Sequence, residues 1–328
     1  MLKSTLIRFR EFLATRPEGG ALVAVLAVYV GFSLGSEHFM STRSTISMLT
    51  LSAEWGIVAL GVALLMISGE FDLSVGSVWG LSSLMATLMV NAGVASPIAV
   101  VIVLIGAVAF GLGQGLAVVK LGVPSFIITL GTMVSLRGII YLTTSGNYVQ
   151  VPRGDAFFQI FSYRFENGFK VNALWFLGVA ILIFLILHRT RFGNWIFATG
   201  GNKQAAIQAG VPVDRVKLIL FGLTSGLASL AGMIQMTRFP ITEAQRGQLV
   251  EMFLIAMVVM GGTRLAGGYG SVVGVVLGVF LMAIIQNGLS LMGVPGYWYQ
   301  GIVGIVILVA VTVNVSAQNR ALGGRSEQ

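Results

Sequence analysis

Two apolar runs lie in residues 46–91, ISMLTLSAEWGIVALGVALLMISGEFDLSVGSVWGLSSLMATLMVN, with the short polar break GEFD between them. A helix needs about 17–25 apolar residues to cross a bilayer, and each run is long enough. The pattern recurs and predicts spans near 20–35, 46–68, 73–91, 97–119, 124–145, 172–188, 216–237, 250–263, 270–290 and 297–315. We therefore predict an all-α, polytopic membrane helix bundle of about ten transmembrane helices, forming one domain over residues 1–328.

The composition excludes several classes of protein. The chain is 56% hydrophobic and only 10% charged, whereas a soluble domain carries about 25% charged residues. It contains no cysteine, which excludes disulfides, thiol catalysis and cysteine-ligated metal sites. Neither of its two histidines has a neighbouring set of ligands, so we expect no metal site. The net charge of +8 comes mainly from short loops, where it sets topology, and we expect no nucleic-acid partner.

The distribution of Lys and Arg predicts how the chain lies in the membrane. An even number of spans puts both termini on one side, and most of the 20 basic residues then fall on that side. Excess Lys and Arg mark the cytoplasmic face. We therefore assign the N-terminal segment 1–19, the loop 189–215 and the tail 316–328 to the cytoplasm. The loop 146–171 is assigned to the periplasm.

Glycine spacing predicts close packing between helices. Small residues one turn apart let helix backbones approach each other, and such pairs are Gly76/Gly80, Gly111/Gly115, Gly222/Gly226 and Gly270/Gly274/Gly278. The span at 250–263 is short, which predicts a broken or re-entrant helix whose backbone is satisfied by protein or by a water-filled cavity.

A weak internal repeat relates the two halves of the chain. The stretch LLMISGEFDLSVGSVWG (64–80) aligns with VVMGGTRLAGGYGSVVG (258–274), and QGLAVVKLGVPSF (114–126) resembles NGLSLMGVPGY (287–297). Repeats of this kind build the solute pathway of many transporters. Chance similarity between Gly- and Val-rich membrane segments is the alternative.

A short surface helix is predicted within the loop 189–215. Gly200-Gly201 suggests a tight turn, Asn202 an N-cap, and Gly210 a stop after the helix-forming residues 203–209. The small side chains leave an open face that could enter the groove of a partner protein. A solvated loop helix without any partner is the alternative.

Two carboxylates in the break GEFD are candidates for a gate. Glu70 and Asp72 lie close to the hydrocarbon, where carboxylates are costly and usually functional. Asp72 could instead cap a helix that begins at Leu73. Glu70 falls opposite Arg264 in the repeat alignment, so we hypothesise a salt bridge that gates the inner mouth. Separate solvated charges are the alternative.

Other polar residues within the spans could line a wet pathway. The candidates are Ser125, Thr129 and Asn287, together with Thr132 and Gln286. Hydrogen bonding between helices is an equally good explanation. Glu251 lies at the predicted outer start of the short span, too far from Glu70 to form a proton relay. We find no ionisable group clearly in mid-span, which disfavours a secondary transporter.

Four blocks of the sequence resemble one family. RTRFGNWIFATGGNKQAAIQAGVPVDRVK (189–217) is similar to the cytoplasmic loop of ribose/xylose-type ABC importer permeases. Three further blocks resemble that family in the same order: GEFDLSVGS (69–77), GVPSFIITLGTMVSLRG (122–138) and GGTRLAGGYGSVVGVVLGVFLMAIIQNGLSLMGVP (261–295). The resemblance implies a bacterial inner-membrane permease subunit that pairs with a second permease copy, identical or different. It also implies a periplasmic sugar-binding protein and a cytoplasmic ATPase, which docks on the segment containing Gly200, Gly201, Asn202, Lys203, Ala205, Ala206 and Gly210.

The chain carries no ATP-binding motif of its own. G-x-x-x-x-G-K-[ST] does not occur in it, so we expect a non-catalytic subunit without a cofactor, with ATP and Mg²⁺ bound by the ATPase. Phe253 stands where the family commonly has Asp, and Arg264 where it has a small polar residue. These departures leave nucleosides or branched-chain amino acids as alternative solutes. A secondary transporter is a further alternative.

Overall fold

The computed structural model describes residues 17–152, 155–296, 298–302, 304–305, 308–309 and 312. The predicted tail 316–328 and most of the predicted segment 1–19 lie outside the described residues. The helices are α1 (Pro17–Gly35), α2 (Thr42–Ile67), α3 (Val75–Asn91), α4 (Ser96–Leu121), α5 (Ser125–Thr144), α6 (Gln159–Ser162), α7 (Asn172–Arg189), α8 (Arg191–Gly201), α9 (Lys203–Gln208), α10 (Val213–Arg238), α11 (Val250–Met260) and α12 (Val272–Leu291). The described residues from 296 to 312 are also helical.

The predicted helical membrane bundle is confirmed. Among the described residues, seven helices are long and apolar enough to span a bilayer, namely α1, α2, α4, α5, α7, α10 and α12. Helices α3 and α11 are shorter but apolar. Local signals set several boundaries. The hydroxyl of Ser41 accepts from the Ser44 N–H at the start of α2, and Gly122, with φ of +66°, ends α4.

Helices α2 and α10 form the centre of the bundle. In the apolar 18-residue stretch of α2, 94% of the residues are buried. In the corresponding stretches of α1, α5 and α7 most residues are not buried, so these helices keep broad apolar faces exposed. Helix α10 packs against α2, α3 and α4. Gly111 and Gly115 of α4 lie directly on α10, where a Cβ would meet Phe221. The predicted use of these glycines in close packing is therefore confirmed.

The helices alternate between two ends of the bundle. At one end, the strand end, β1 (Val149–Gln150) pairs antiparallel with β2 (Ile241–Thr242). The segment predicted as a periplasmic loop, 146–171, lies there and contains β1 and the short helix α6. Helices α8 and α9 lie at the opposite end, the loop end, where α1 begins. The strand end and the loop end are thus separated by the full length of α2 and α10.

The segment between β2 and α11 re-enters the bundle. Its residues Arg246 and Gly247 lie against Gly80 and Gly76, close to the loop-end start of α3. A Cβ on either α3 glycine would collide with a carbonyl of this segment. The Arg246 carbonyl accepts a hydrogen bond from Arg137 Nη1 at 2.7 Å. Helix α11 begins only after this excursion, so the predicted broken helix is confirmed and its backbone is satisfied by protein.

The two copies of the sequence repeat have the same local structure. In each copy a helix leads through a turn into a second helix, which begins at Val75 in the first half and at Val272 in the second. The second repeat element places Gly122 and Gly293 at helix ends with positive φ, at +66° and +75°. A new helix follows directly in both places.

Candidate functional site

Helix α9 has the local structure that the sequence predicts. Asn202 is its N-cap, and the Asn202 Oδ1 accepts from the Ala205 N–H at 3.0 Å. Gly210, with φ of +79°, follows its end and stops it. The predicted turn at Gly200-Gly201 is wrong, because both glycines are the last residues of α8. Thr190 caps α8 at its start, so this helix forms and continues until Asn202 takes up an extended conformation.

Helix α9 presents almost its whole surface to the outside of the chain. Lys203, Ala205 and the rest of its residues are exposed, with Ala206 as the one buried side chain, at 4%. Ile207 is 54% exposed, although it is a large apolar side chain. Single exposed apolar residues are ordinary, but this one lies on a capped helix that projects from the loop end.

Four glycines join α8 to the turns of both repeats. Gly200 packs against the backbone of Ile67 and Gly268, and a Cβ on Gly200 would collide with the Ile67 carbonyl. The Gly268 N–H donates to that same carbonyl at 2.8 Å. Gly69, Gly267 and Gly268 all have positive φ, which favours glycine. We call this contact the glycine junction: backbone touches backbone there, with no side chain in between.

A buried ion pair lies near the glycine junction. Lys217, in the first turns of α10, donates to Glu70, and the two side chains are 10% and 11% exposed. The hypothesised pair of Glu70 with Arg264 is wrong, because Arg264 lies over the ring of Tyr269, 4.5 Å from its centroid. Solvated charges are equally wrong for Glu70. Sequence reasoning missed Lys217, whose only signal is a lysine at the start of an apolar helix.

Asp72 organises the turn before α3. Its Oδ1 accepts from the Ser74 N–H at 2.8 Å and from the Ser74 hydroxyl at 2.6 Å. The predicted cap of a helix starting at Leu73 is wrong in register, because α3 begins at Val75 and Ser74 takes the N-cap position. Gln114 Nε2 donates to the Ser74 hydroxyl and to Thr132 Oγ1, at 2.9 and 2.6 Å. The turn is thus tied to α4 and α5.

The predicted pathway residues do not come together in one place. Ser125 accepts from the Phe71 N–H at 3.1 Å and so supports the same turn. Thr129 donates to the Ser125 carbonyl of its own helix at 2.8 Å. Asn287 Nδ2 donates to the Ser44 hydroxyl at 2.6 Å, near the strand end. Ser125 and Asn287 therefore bond across elements, which is the alternative left open by the sequence.

A buried polar network in the middle of the bundle escaped the sequence reasoning. Glu54 lies halfway along α2 and is 1% exposed. Its Oε1 is 3.1 Å from Arg238 Nε, and its Oε2 accepts from Gln235 Nε2 at 3.2 Å. Gln235 Oε1 in turn accepts from Trp79 Nε1 and Arg246 Nη1, at 3.0 and 3.3 Å. The statement that no ionisable group lies in mid-span is therefore wrong.

The polar network continues toward the loop end. Arg137, within α5, donates to the Arg246 carbonyl, and Glu251 lies 4% exposed beside Gly76. Glu251 is thus inside the bundle and not at an outer surface, because the re-entrant segment carries the start of α11 inward. Among the described residues neither Arg137 nor Glu251 forms a salt bridge, and Arg137 Nη2 and Glu251 Oε2 have no hydrogen-bond partner. Unpaired charged side chains in a membrane interior are costly, which marks both as candidates for function. The signal in the sequence was Glu54 and Arg137 within otherwise apolar runs.

Comparison with known proteins identifies the family. A family model described as "Branched-chain amino acid transport system / permease component" matches residues 44–311, which begin in the first turn of α2 and include every helix and strand named above after it. The chain belongs to this family. It is a multi-pass membrane permease by that description and by its helices. No solved structure matches the chain.

Relatives of this permease include proteins named for sugar import. The chain is 34% identical to the ribose import permease protein of Escherichia coli K12 over 304 residues, which cover 92% of this chain and 94% of the relative. It is 32% identical to the ribose import permease protein of Bacillus subtilis, covering 90% and 92%. An autoinducer 2 import system permease protein of Salmonella typhi is 33% identical, covering 91% and 85%. The resemblance to ribose-type permeases is confirmed.

Proposed function

We propose that the chain is the membrane-spanning permease subunit of an ATP-driven ABC importer for a small sugar. The observation that carries the proposal is the exposed helix α9, joined through Gly200 to the turns of both repeats. A transporter without a partner ATPase would not need a projecting helix that is connected to the turns of both repeats. The names of the relatives support sugar import, whereas the description of the family favours branched-chain amino acids as the second candidate solute.

The glycine junction gives a physical route for coupling. An ATPase that moves α9 also moves α8, whose Gly200 contacts the backbone of Ile67 and Gly268. Packed backbones shift together because protein interiors have little free volume. Movement at the loop end would therefore reach the turns that lead into α3 and α12. Coordination of both repeats is what opening and closing of a pathway between them requires.

The contacts support the following proposed arrangement in the cell. The loop end faces the cytoplasm of a bacterium and carries the ATPase, which binds ATP and Mg²⁺. In this proposal both termini are cytoplasmic. The strand end faces the periplasm and receives a sugar-binding protein. A second permease copy, identical or different, completes the assembly within the inner membrane. This permease itself is non-catalytic.

Copurification tests the docking role of α9. The permease would be coexpressed with a candidate ATPase and a candidate sugar-binding protein of this importer class, and the amount of ATPase retained by the permease would be measured. We expect the variant Ile207→Glu to lose the ATPase, because it puts a charge on the exposed apolar residue of α9. Ile160→Glu, at a strand-end isoleucine that is 47% exposed, is the matched control. Equal ATPase retention by both variants and the unmodified chain would remove α9 as the docking site.

ATPase activity then tests the importer assignment. In proteoliposomes the complex should hydrolyse ATP faster when its binding protein carries the correct sugar. A panel of pentoses, hexoses and branched-chain amino acids would separate the two candidate solute classes. ATP hydrolysis that ignores every binding protein and solute would contradict the assignment.

A further inference from the structure

A cavity at the strand end carries an excess of positive charge. Its volume is about 650 Å³, and four basic side chains line it, Arg43, Arg164, Lys170 and Arg238, with Glu166 as the one acidic side chain in the lining. Cavities that bind small molecules measure about 300–1,000 Å³. The cavity is therefore of the right size for a monosaccharide, and its charge is unusual for a site that takes neutral sugars.

The basic side chains are only partly compensated. Arg238 is committed to Glu54 at 3.1 Å. Among the described residues, Arg43, Arg164 and Lys170 form no salt bridge. Lys170 is half-buried in the loop before α7, and burial lowers its pKa; neighbouring Arg238 and Arg164 lower it further, against the opposite effect of Glu54. An anion bound among these positively charged side chains would reduce the repulsion between them.

The start of α2 adds to the same field. Thr42 and Arg43 of its first turn line the cavity, and the N-terminus of a long helix carries a partial positive charge. Thr42, Ser47 and Thr50 also line it, and the Thr50 hydroxyl donates to the Ile46 carbonyl of its own helix at 2.7 Å. They supply hydrogen-bonding groups suited to the hydroxyls of a sugar, beside the cations suited to an acid group.

Topology does not explain the cluster. Lys and Arg collect on the cytoplasmic side of membrane proteins, whereas this cluster lies at the end that we assign to the periplasm. A group of basic residues there runs against the general bias. A role in recognition accounts for it.

We propose that the strand-end cavity binds the carboxylate of a small sugar acid, such as an aldonate, on its way into the permease. This inference rests on the proposed import function and narrows its solute class. Arg164 and Lys170 hold the carboxylate, and the hydroxyls of α2 hold the polyol chain. A neutral sugar of the same size lacks the charge that these residues complement.

Ligand-observed NMR on the full chain tests the site, because saturation transfer detects weak binding. The purified protein in phosphatidylcholine nanodiscs, which add no net charge, is titrated with D-gluconate and with D-glucitol, its neutral counterpart. We expect gluconate to bind at least about tenfold more tightly, as one charge-assisted contact of about 1.5–3 kcal/mol provides. Raising the salt concentration should weaken gluconate binding and leave glucitol unaffected.

Variants locate the binding. Arg164→Gln and Lys170→Gln should each weaken gluconate binding about tenfold or more. Arg215→Gln removes an exposed arginine at the loop end and should change nothing. Unchanged elution on size exclusion and unchanged thermal melting confirm that each variant is folded. A variant that fails this control is replaced by Arg43→Gln, which alters an exposed residue of the same cavity.

Three results would overturn the inference. Equal binding of gluconate and glucitol would show that charge is not recognised. Gluconate binding that survives both cavity variants would place the anion elsewhere. If the variants leave gluconate binding unchanged but abolish capture of the binding protein, the cavity receives an acidic side chain of that partner and no solute. Retention of the ATPase by α9 is measured separately, so failure here leaves the importer assignment standing, and loss of ATPase docking leaves the cavity result standing.

Discussion

Removing one partner of the buried pair between Lys217 and Glu70 should destabilise the permease strongly. Both side chains are about nine-tenths buried, so Lys217→Met leaves the Glu70 carboxylate without its cation in an interior of low polarity. Breaking such a pair costs about 3–5 kcal/mol, whereas replacing both partners with apolar residues of similar size is often neutral. The double variant Glu70→Leu/Lys217→Met should therefore recover most of the stability that the single variant loses.

Thermal melting in detergent, followed by loss of monodisperse protein on size exclusion, measures this difference. Lys120→Met is the matched control, because Lys120 is an exposed lysine in the last turn of α4 at the same end of the bundle. We expect the control to melt like the unmodified chain, the single variant Lys217→Met well below it, and the double variant between them. If Lys217→Met melts with the control, or if the double variant is no better than the single one, the pair does not stabilise the bundle.

Three further predictions concern close contacts elsewhere in the chain. Gly200→Ala should lower the melting temperature and reduce ATP-coupled uptake, since its Cβ collides with the Ile67 carbonyl. Gly201→Ala, whose Cβ makes only an ordinary van der Waals contact with Gly268 Cα at 3.9 Å, should behave as the unmodified chain in both assays. Glu54→Gln should lower the stability of the folded permease by about 3 kcal/mol, because it leaves Arg238 without its anionic partner. Adding Arg238→Gln should restore part of the lost stability in the same melting assay. Gly247→Ala should reduce the yield of folded protein, as measured by size exclusion, because that glycine has φ of +75° and abuts the backbone of α3; normal yield would contradict the tight fit of the re-entrant segment.

The sequence predicts the parts of this structure that depend on neighbouring residues. Hydropathy places the spans, and the cap at Asn202 and the stop at Gly210 follow from local turn chemistry. The prediction of a turn at Gly200-Gly201 is wrong, because glycine permits a helix to end but does not require it to. Gly200 has to be small for a different reason, which is that it packs against the backbone of Ile67.

Contacts between distant residues account for the remaining errors. Glu70 pairs with a lysine 147 positions away, and Glu54 bonds Gln235 across 181 positions. Neither distance is visible in a local pattern, and the repeat alignment suggested Arg264 instead. A carboxylate within an apolar run is costly in a membrane and therefore predicts a partner. Glu54 could have been singled out on this ground. Its partner could be identified only once the fold was known.

The two ion pairs together make α2 and α10 a single mechanical unit. The helices run antiparallel, with Glu70, in the turn that follows α2, bound to Lys217 at the loop end, and Glu54 of α2 bound to Arg238 toward the strand end. Between these pairs the Thr224 hydroxyl donates to the Gly61 carbonyl at 3.1 Å.

Helix α9 precedes α10 by only a short turn, so a displacement of α9 acts directly on the loop end of this unit. At the other end Arg238 belongs to both the unit and the basic cavity. If α9 docks the ATPase as proposed, a displacement that carries α2 and α10 together would move Arg238 and so change the electric field of the cavity. In the proposed importer, coupling would then require α2 and α10 to move relative to their neighbours, and the two ion pairs would hold the helices together during that movement.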